Sequence, residues 1–348
     1  MRSKKIYIYH EYGAVSHYYA LCELAKKYNY KVYFYEFDLF YLLKQCIKKK
    51  YSYLKLCADF FALLKMPFIC KSKIVIGIAP FNPLLKRMML ILKKHEVYYH
   101  TSCTYWDRTF MIYPTTNKKL ISQWYFFTNN YVHHIFAVTN KTKEELINNK
   151  FSIPEKITVV AHSYNEDIDF NANKINNKVF IYVGRIIPEK GIQELLDIFK
   201  NKRNAKLIII GNGTNVELVK EYAKKYSNIT YVGYIKGFKN LIPYYRKSSF
   251  LLLNSHRTHS WEELFGITII EGMACGCVPI TTDHPGPKEI ITNNVDGIIC
   301  KEGHICDGID KALCLSDKDY SEYSKSALKT GKKYSCKNIA KYWNRIFL

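Results

Sequence analysis

At 348 residues, 48% of them hydrophobic, the chain has material for two packed domains. Its formal net charge of +22 points to anionic partners, yet no nucleic-acid-binding motif is present and the aromatics sit in apolar strands rather than among the basic runs. No apolar run reaches the roughly 18 residues of a membrane-spanning helix, the apolar stretch after the basic start is too short for a signal peptide, and the 11 Cys lack paired or metal-ligand spacing, so reduced thiols of a cytoplasmic protein without a metal site are expected.

Residues 5–10 read as a first strand. A loop holding Gly13, a helix over 17–28 and a strand at 31–35 follow, the order in which a doubly wound α/β domain begins. Residues 39–55 and 56–65 are predicted basic, aromatic-rich helices. Strands at 74–79, 97–100, 135–139 and 157–161 then alternate with helices at 83–94, 118–130 and 141–149. His100 ends its strand, and a polar-aromatic loop with Tyr105 and Trp106 comes next. The polar stretch 166–178 reads as a linker. Its Asp167-Ile-Asp169 imitates a metal-binding Asp-x-Asp, a match short enough to arise by chance.

A second α/β run begins with a strand at 179–183, the loop Gly184-Arg185-Ile-Ile-Pro-Glu-Lys190-Gly191 and a helix from Ile192. Arg185 and Lys190 are spaced so that both can face one point above the strand end. Two fixed cations there can hold a diphosphate and stabilise the charge that develops when it leaves. A strand at 206–210 with the turn Gly211-Asn-Gly213, a helix at 216–226 and strands at 229–233 and 250–254 follow. Then come Glu263-Leu-Phe265-Gly266, a helix over 267–275 closed by Gly276, and a buried strand at 278–280. Glu263 falls in the loop before that helix and Glu271 inside it. They flank backbone N–H groups of the kind that attract anions, and their carboxylates can accept hydrogen bonds from hydroxyls. Helices at 305–315 and 320–329 and an amphipathic tail complete the chain.

The two acids with seven residues between them, set in Glu263-Leu264-Phe265-Gly266 and Glu271-Gly272-Met273-Ala274-Cys275-Gly276, resemble the Glu-x7-Glu motif of retaining family 4 glycosyltransferases of the GT-B fold. The run Gly184-Arg185 to Lys190-Gly191 resembles that family's Gly-Arg-x4-Lys-Gly. Leu264 and Gly272 depart from the commonest residues, and the first loop has one glycine, Gly13, where the family has two. The resemblance implies an α/β, GT-B architecture of two doubly wound Rossmann-like domains facing a cleft. In it an acceptor-binding domain covers 1–165, a linker 166–178 and a nucleotide-sugar-binding domain 179–332, and a C-terminal helix over 333–348 crosses back onto the first domain.

It implies transfer of a sugar, with retention, from a nucleoside-diphosphate sugar to a glycan or lipid-linked acceptor in cell-surface polysaccharide, lipopolysaccharide or glycolipid synthesis. Glu263 would meet the sugar hydroxyls, Arg185 and Lys190 the diphosphate, and His100 the donor sugar. The donor-binding set would be Gly13, Gly184, Arg185, Lys190, Gly211, Phe265, Gly266, Ile267, Thr268 and Glu271, the last on the ribose. Tyr105 and Trp106 would lie at the acceptor pocket or pack as a lid. No metal and no cofactor beyond the donor is expected. Another enzyme of the same fold, an epimerase or phosphorylase, and a non-enzymatic nucleic-acid binder stay open as alternatives.

Residues 1–165 hold 25 Lys and Arg against 10 Asp and Glu, the remaining 183 hold 27 against 20. The excess gathers at Lys44, Lys48, Lys49, Lys50, Lys55, Lys65, Lys71, Lys73, Lys86, Arg87, Lys93 and Lys94, mostly on predicted helices. Basic amphipathic helices lie on anionic membranes, so peripheral attachment to the inner face of the cell membrane is expected.

Overall fold

The computed structural model describes residues 4–11, 15–47, 52–108, 115–168, 174–259 and 261–348. Gly13, Lys48, Lys49, Lys50 and Asp169 lie outside the described residues. The chain divides into two units, Met1–His162 with Ile339–Leu348, and Ser163–Asn338.

The first unit is built on a parallel sheet of β1 (Lys4–His10), β2 (Tyr30–Glu36), β3 (Lys73–Gly77), β4 (Glu96–Thr101), β5 (His134–Ala137) and β6 (Ile157–Val159), in the order β2-β1-β3-β4-β5-β6. The strands are apolar because a parallel sheet is covered on both faces; Ile74, Val75 and Ile76 are fully buried. The helices are α1 (Tyr19–Lys27), α2 (Leu39–Ile47), α3 (Tyr53–Lys65), α4 (Leu85–Leu92), α5 (Lys118–Phe126) and α6 (Asn140–Asn148). Asn117 and Thr139 start the last two by accepting backbone N–H groups of the first turn, as N-cap residues do. The first strand-order reversal falls between β1 and β3.

The second unit repeats the plan with β7 (Val179–Val183), β8 (Lys206–Ile210), β9 (Ile229–Gly233), β10 (Phe250–Leu253), β11 (Val278–Thr282) and β12 (Ile298–Cys300), in the order β12-β11-β10-β7-β8-β9. Its reversal falls between β7 and β10. The helices are α7 (Ile192–Phe199), α8 (Val216–Lys225), α9 (Phe238–Lys247), α10 (Ile267–Ala274), α11 (Pro285–Ile290), α12 (Ile305–Leu313), α13 (Asp317–Lys333) and α14 (Cys336–Ala340). In a doubly wound sheet the reversal opens a crevice at the carboxyl ends of the strands, where ligands bind.

Three expectations change. The tail is not one helix over 333–348: α13 stops at Lys333, α14 is short, and a 3-10 turn covers Lys341–Ile346. The break is non-local, since Tyr164 donates to the Tyr334 carbonyl and Cys336 donates to the Tyr164 carbonyl, drawing this stretch into a bridge instead of a helix. Trp106 is fully buried against Phe81, Tyr99, Trp124 and Phe151, so it belongs to the core of its unit and faces no acceptor pocket. The helix predicted over 39–55 is interrupted at Ser52, whose backbone is extended, and the next begins at Tyr53. Among the described residues no helix is long and apolar enough to cross a membrane.

Candidate active site

The loop that leaves β7 carries both predicted cations. Tyr182 on β7 donates its hydroxyl to the Arg185 carbonyl, and the Ile186 N–H bonds to Asn212 at 2.9 Å. Gly184 and Gly211 lie backbone to backbone here: a Cβ on Gly211 would sit 1.8 Å from the Gly184 carbonyl oxygen. This close approach ties the two loops together and requires glycine. The loop ends in the short turn Pro188–Lys190, which delivers Lys190 ahead of α7.

Lys190 is buried, and its ammonium pairs with Glu263, which has arrived from the loop after β10. Ser255 Oγ donates to the same carboxylate oxygen at 3.2 Å. Both cations share one aromatic neighbour, Trp261, with Lys190 Nζ 4.8 Å and Arg185 Cζ 6.0 Å from the indole centroid. Arg185 itself is exposed and open to a ligand. The site thus gathers at the β7–β10 reversal.

His284 fixes the Glu263 loop from beneath. The Glu263 backbone N–H donates to His284 Nδ1 at 3.2 Å, so Nδ1 carries no proton and Nε2–H donates to the Ser255 carbonyl at 2.8 Å. His284 has no exposed surface, and burial holds its pKa below the ordinary value. The loop is braced further by Arg257, which pairs with Glu262 at 3.2 Å and Glu302 at 2.6 Å.

Gly266 precedes α10, and Ile267 and Thr268 are half-buried in its first turn, where backbone N–H groups lack intrahelical acceptors. Phe265 is buried, its ring 6.1 Å from that of Tyr334. Glu271, inside α10, accepts from the buried Tyr245 hydroxyl at 3.0 Å. Burial pushes its carboxyl up to about 7, opposed by that hydrogen bond.

In the first unit His100 is buried on β4 and belongs to a cluster that sequence reasoning missed. Its ring lies 6.5 Å from His10, at the end of β1, and 5.8 Å from His162, just beyond β6. His17 stacks on His162 at 4.2 Å. Tyr18 OH is 3.1 Å from His100 Nδ1, and Trp343 closes one side at 5.4 Å. His100 Nε2 is buried with no hydrogen-bond partner among the described residues. Gly77, opposite His10 in register, leaves space for that imidazole: a Cβ would lie 2.0 Å from its ring. Burial, then the neighbouring imidazoles, lowers the pKa of His100 and His162. His10 falls to about 3 and His17 to about 4, again mainly through burial. All four are therefore neutral hydrogen-bonding rings near pH 7.

The structure brings Arg185, Lys190 and Glu263 together, with Gly184 and Gly211 packed beneath the cations' loop. It places His100 in the other unit. Trp261, Ser255, His284 and Tyr245 were not foreseen; Trp261 lies two residues before Glu263, so it was within reach of the motif. Among the described residues no three His, Cys, Asp or Glu side chains group so as to hold a metal ion.

Residues 164–330 match the family described as glycosyl transferases group 1. An uncharacterized glycosyltransferase of Methanocaldococcus jannaschii is 29% identical over 66% of this chain and 58% of its own length. A Staphylococcus aureus capsular polysaccharide biosynthesis glycosyltransferase is 29% identical over 51% of this chain and 52% of its own. The chain spans little more than half the length of these curated relatives. Among solved structures, a glycosyltransferase from Rickettsia africae superposes with a TM-score of 0.70 at 16% identity, covering 100% of this chain and 99% of the other. An Anabaena protein in complex with UDP and glucose gives 0.66 at 16% identity, covering 97% of each.

Proposed function

We propose, from the premise that residues 164–330 are a glycosyl transferases group 1 domain, that this chain is a retaining glycosyltransferase using a nucleoside-diphosphate sugar. The observation that carries the reading is the convergence of Arg185, Lys190 and Glu263 around Trp261 at the strand-order reversal of that domain. Two cations fixed on one loop suit a diphosphate and oppose the charge that appears on it as the glycosidic bond breaks. The Lys190–Glu263 pair must open for a diphosphate to take Lys190, and opening it frees Glu263 for the hydroxyls of the sugar. Glu271 takes the ribose, and the first turn of α10 offers N–H groups to an oxygen of the donor. The leaving charge is met by Arg185 and Lys190, with no metal assigned a part.

Neighbours crystallised with UDP and with UDP-glucose support a nucleotide-sugar donor. Relatives named for capsular polysaccharide, amylovoran and O-antigen biosynthesis support a glycan or lipid-linked acceptor in cell-surface polysaccharide synthesis. We place the enzyme in the cytoplasm against the inner face of the membrane. A panel of nucleotide sugars scored by thermal shift, followed by product analysis with the best donor, tests the reading. Stabilisation by one family of donors and an α- or β-linkage matching that of the donor is expected. Stabilisation by none of them, or conversion of the donor with no sugar transferred, overturns it.

A further inference from the structure

Helix α3 is turned inside out for a helix in water. Its inward line is Leu56, Asp59, Leu63 and, one turn on, Met66, with the Asp59 carboxylate only 1% exposed. Its outward line is Leu54, Cys57, Phe61 and Leu64, at the three- and four-residue steps of a helical stripe, and Phe68 follows in the 3-10 turn Met66–Phe68. Leu54 and Phe68 are each 85% exposed, Phe61 55% and Leu64 51%. Tyr53 and Phe60 widen the stripe, and Leu43 and Ile47 on α2 are also exposed. Eight of the 19 exposed large hydrophobic residues among the described residues fall within 43–68. A soluble surface scatters such residues singly, and a contiguous group marks a contact.

The exposed charge on these two helices is of one sign among the described residues. Residues 39–65 contain six lysines and one acid, and that acid is the inward-facing Asp59; Lys71 and Lys73, beyond them, pair with Glu96. Lys44, Lys55 and Lys65 are exposed on the same two helices. Pairing this face with a second copy would bring lysine against lysine, which disfavours a dimer. Apolar side chains bordered by lysines match the headgroup boundary of an anionic bilayer: the rings and leucines enter the acyl edge while the ammonium groups stay among the phosphates.

We propose that α2 and α3 lay this face on an anionic membrane. The proposal names the surface behind the membrane placement given above and rests on that placement; it does not rest on the transferase chemistry. Sedimentation of the full chain with phosphatidylcholine vesicles, and with phosphatidylcholine mixed with phosphatidylglycerol, tests it at about 0.1 M salt, where exposed charges are only partly screened. The protein is expected to pellet with the mixed vesicles and far less with the neutral ones. The combined variant Phe61→Ser, Leu64→Ser, Phe68→Ser is expected to lose about tenfold or more of that binding, with its Tm and its affinity for free UDP unchanged. Lys44→Gln, Lys55→Gln, Lys65→Gln is expected to abolish the preference for anionic lipid, and it serves as the test if the apolar variant fails to fold.

Wild type left in the supernatant of both vesicle types overturns the proposal, as does an apolar variant that pellets like wild type. So does a wild-type dimer, formed without lipid, that this variant abolishes. Vesicle binding in a protein without affinity for any nucleotide sugar leaves the surface standing and removes the transferase reading.

Discussion

The two strand-order reversals, one in each unit, are built alike and filled with opposite chemistry. At the β1–β3 reversal and along the neighbouring strand ends of the first unit stand four imidazoles, His100 and His162 buried and His10 and His17 half-buried, all kept neutral. At the β7–β10 reversal of the second stand Arg185, Lys190 and Glu263, with the proton-retaining Glu271 nearby in sequence. The parallel sheet decides where a site can be, because strand carboxyl ends and their loops lie open there. Solvation decides what the site can do. Where aromatic rings close over the imidazoles charge is expelled, whereas at the second reversal a cation faces a carboxylate and an indole.

Removing the cations is the strongest way to break this contrast. Arg185→Ala and Lys190→Ala are each expected to lower kcat/KM by roughly 100- to 1,000-fold, the scale of losing a preorganised charge at a reacting centre. Arg185 is exposed, so its loss should leave Tm near wild type. Lys190→Ala leaves Glu263 with Ser255 as partner and should lower Tm by a few degrees, about 1 kcal/mol in a protein of this size. Steady-state kinetics beside thermal melts separate the two, and near-normal kcat/KM in either variant would sink the assignment.

Next in size is the response to pH, which should run in opposite directions at the histidine cluster and at Glu271. For the histidines the folded pKa lies below the unfolded value. From about pH 6.5 downward the unfolded chain therefore takes protons that the folded cluster refuses until about pH 4 for His17 and about pH 3 for His10. Stability is full above about 6.5 and falls as acid is added, by at most about 1.4 kcal/mol per pH unit for each such histidine. For Glu271 the folded pKa of about 7 lies above the ordinary 4.5, so its contribution is present at low pH and is lost as pH rises through about 7. Hydrogen exchange, corrected for intrinsic rates, should show β1 and β4 less protected at pH 5 than at pH 7.5, and α10 more protected. Both moving the same way would contradict the contrast.

The smallest effect sharpens the second region from within. Glu271→Ala should weaken free UDP by about tenfold, one good hydrogen-bonded contact. Glu263→Ala should leave UDP affinity equal or higher, because Lys190 is released, while turnover of the sugar donor falls. Titration calorimetry with UDP reads both, and an equal loss in the two variants would remove the division of roles.

The second site was legible because its groups come in two short runs, Gly184–Gly191 and Glu262–Gly276, each beside one strand end. The histidine cluster was not: His10, His17, His100 and His162 are spread over 153 positions, and only parallel packing brings them together. Their shared signal, a histidine at or beside a strand carboxyl end or in the loop beyond it, was used for His100 alone. Trp106 misled because a polar-aromatic loop looks alike whether its indole faces ligand or core. In α3 the apolar period was plain, but periodicity cannot say which face is outside; Asp59 in the narrower line was the available clue. The break at Tyr334 depends on Tyr164, far away in sequence, and no local pattern carries it.

His284 has a consequence for how the Lys190–Glu263 pair fails. With Nδ1 accepting the Glu263 amide and Nε2–H given to Ser255, the ring cannot take a second proton without setting two N–H donors against each other. The ring then acts as a fuse. Through the neutral range it holds the Glu263 backbone beside Lys190, and a proton forced onto Nδ1 by acid would cost the Glu263 amide its acceptor.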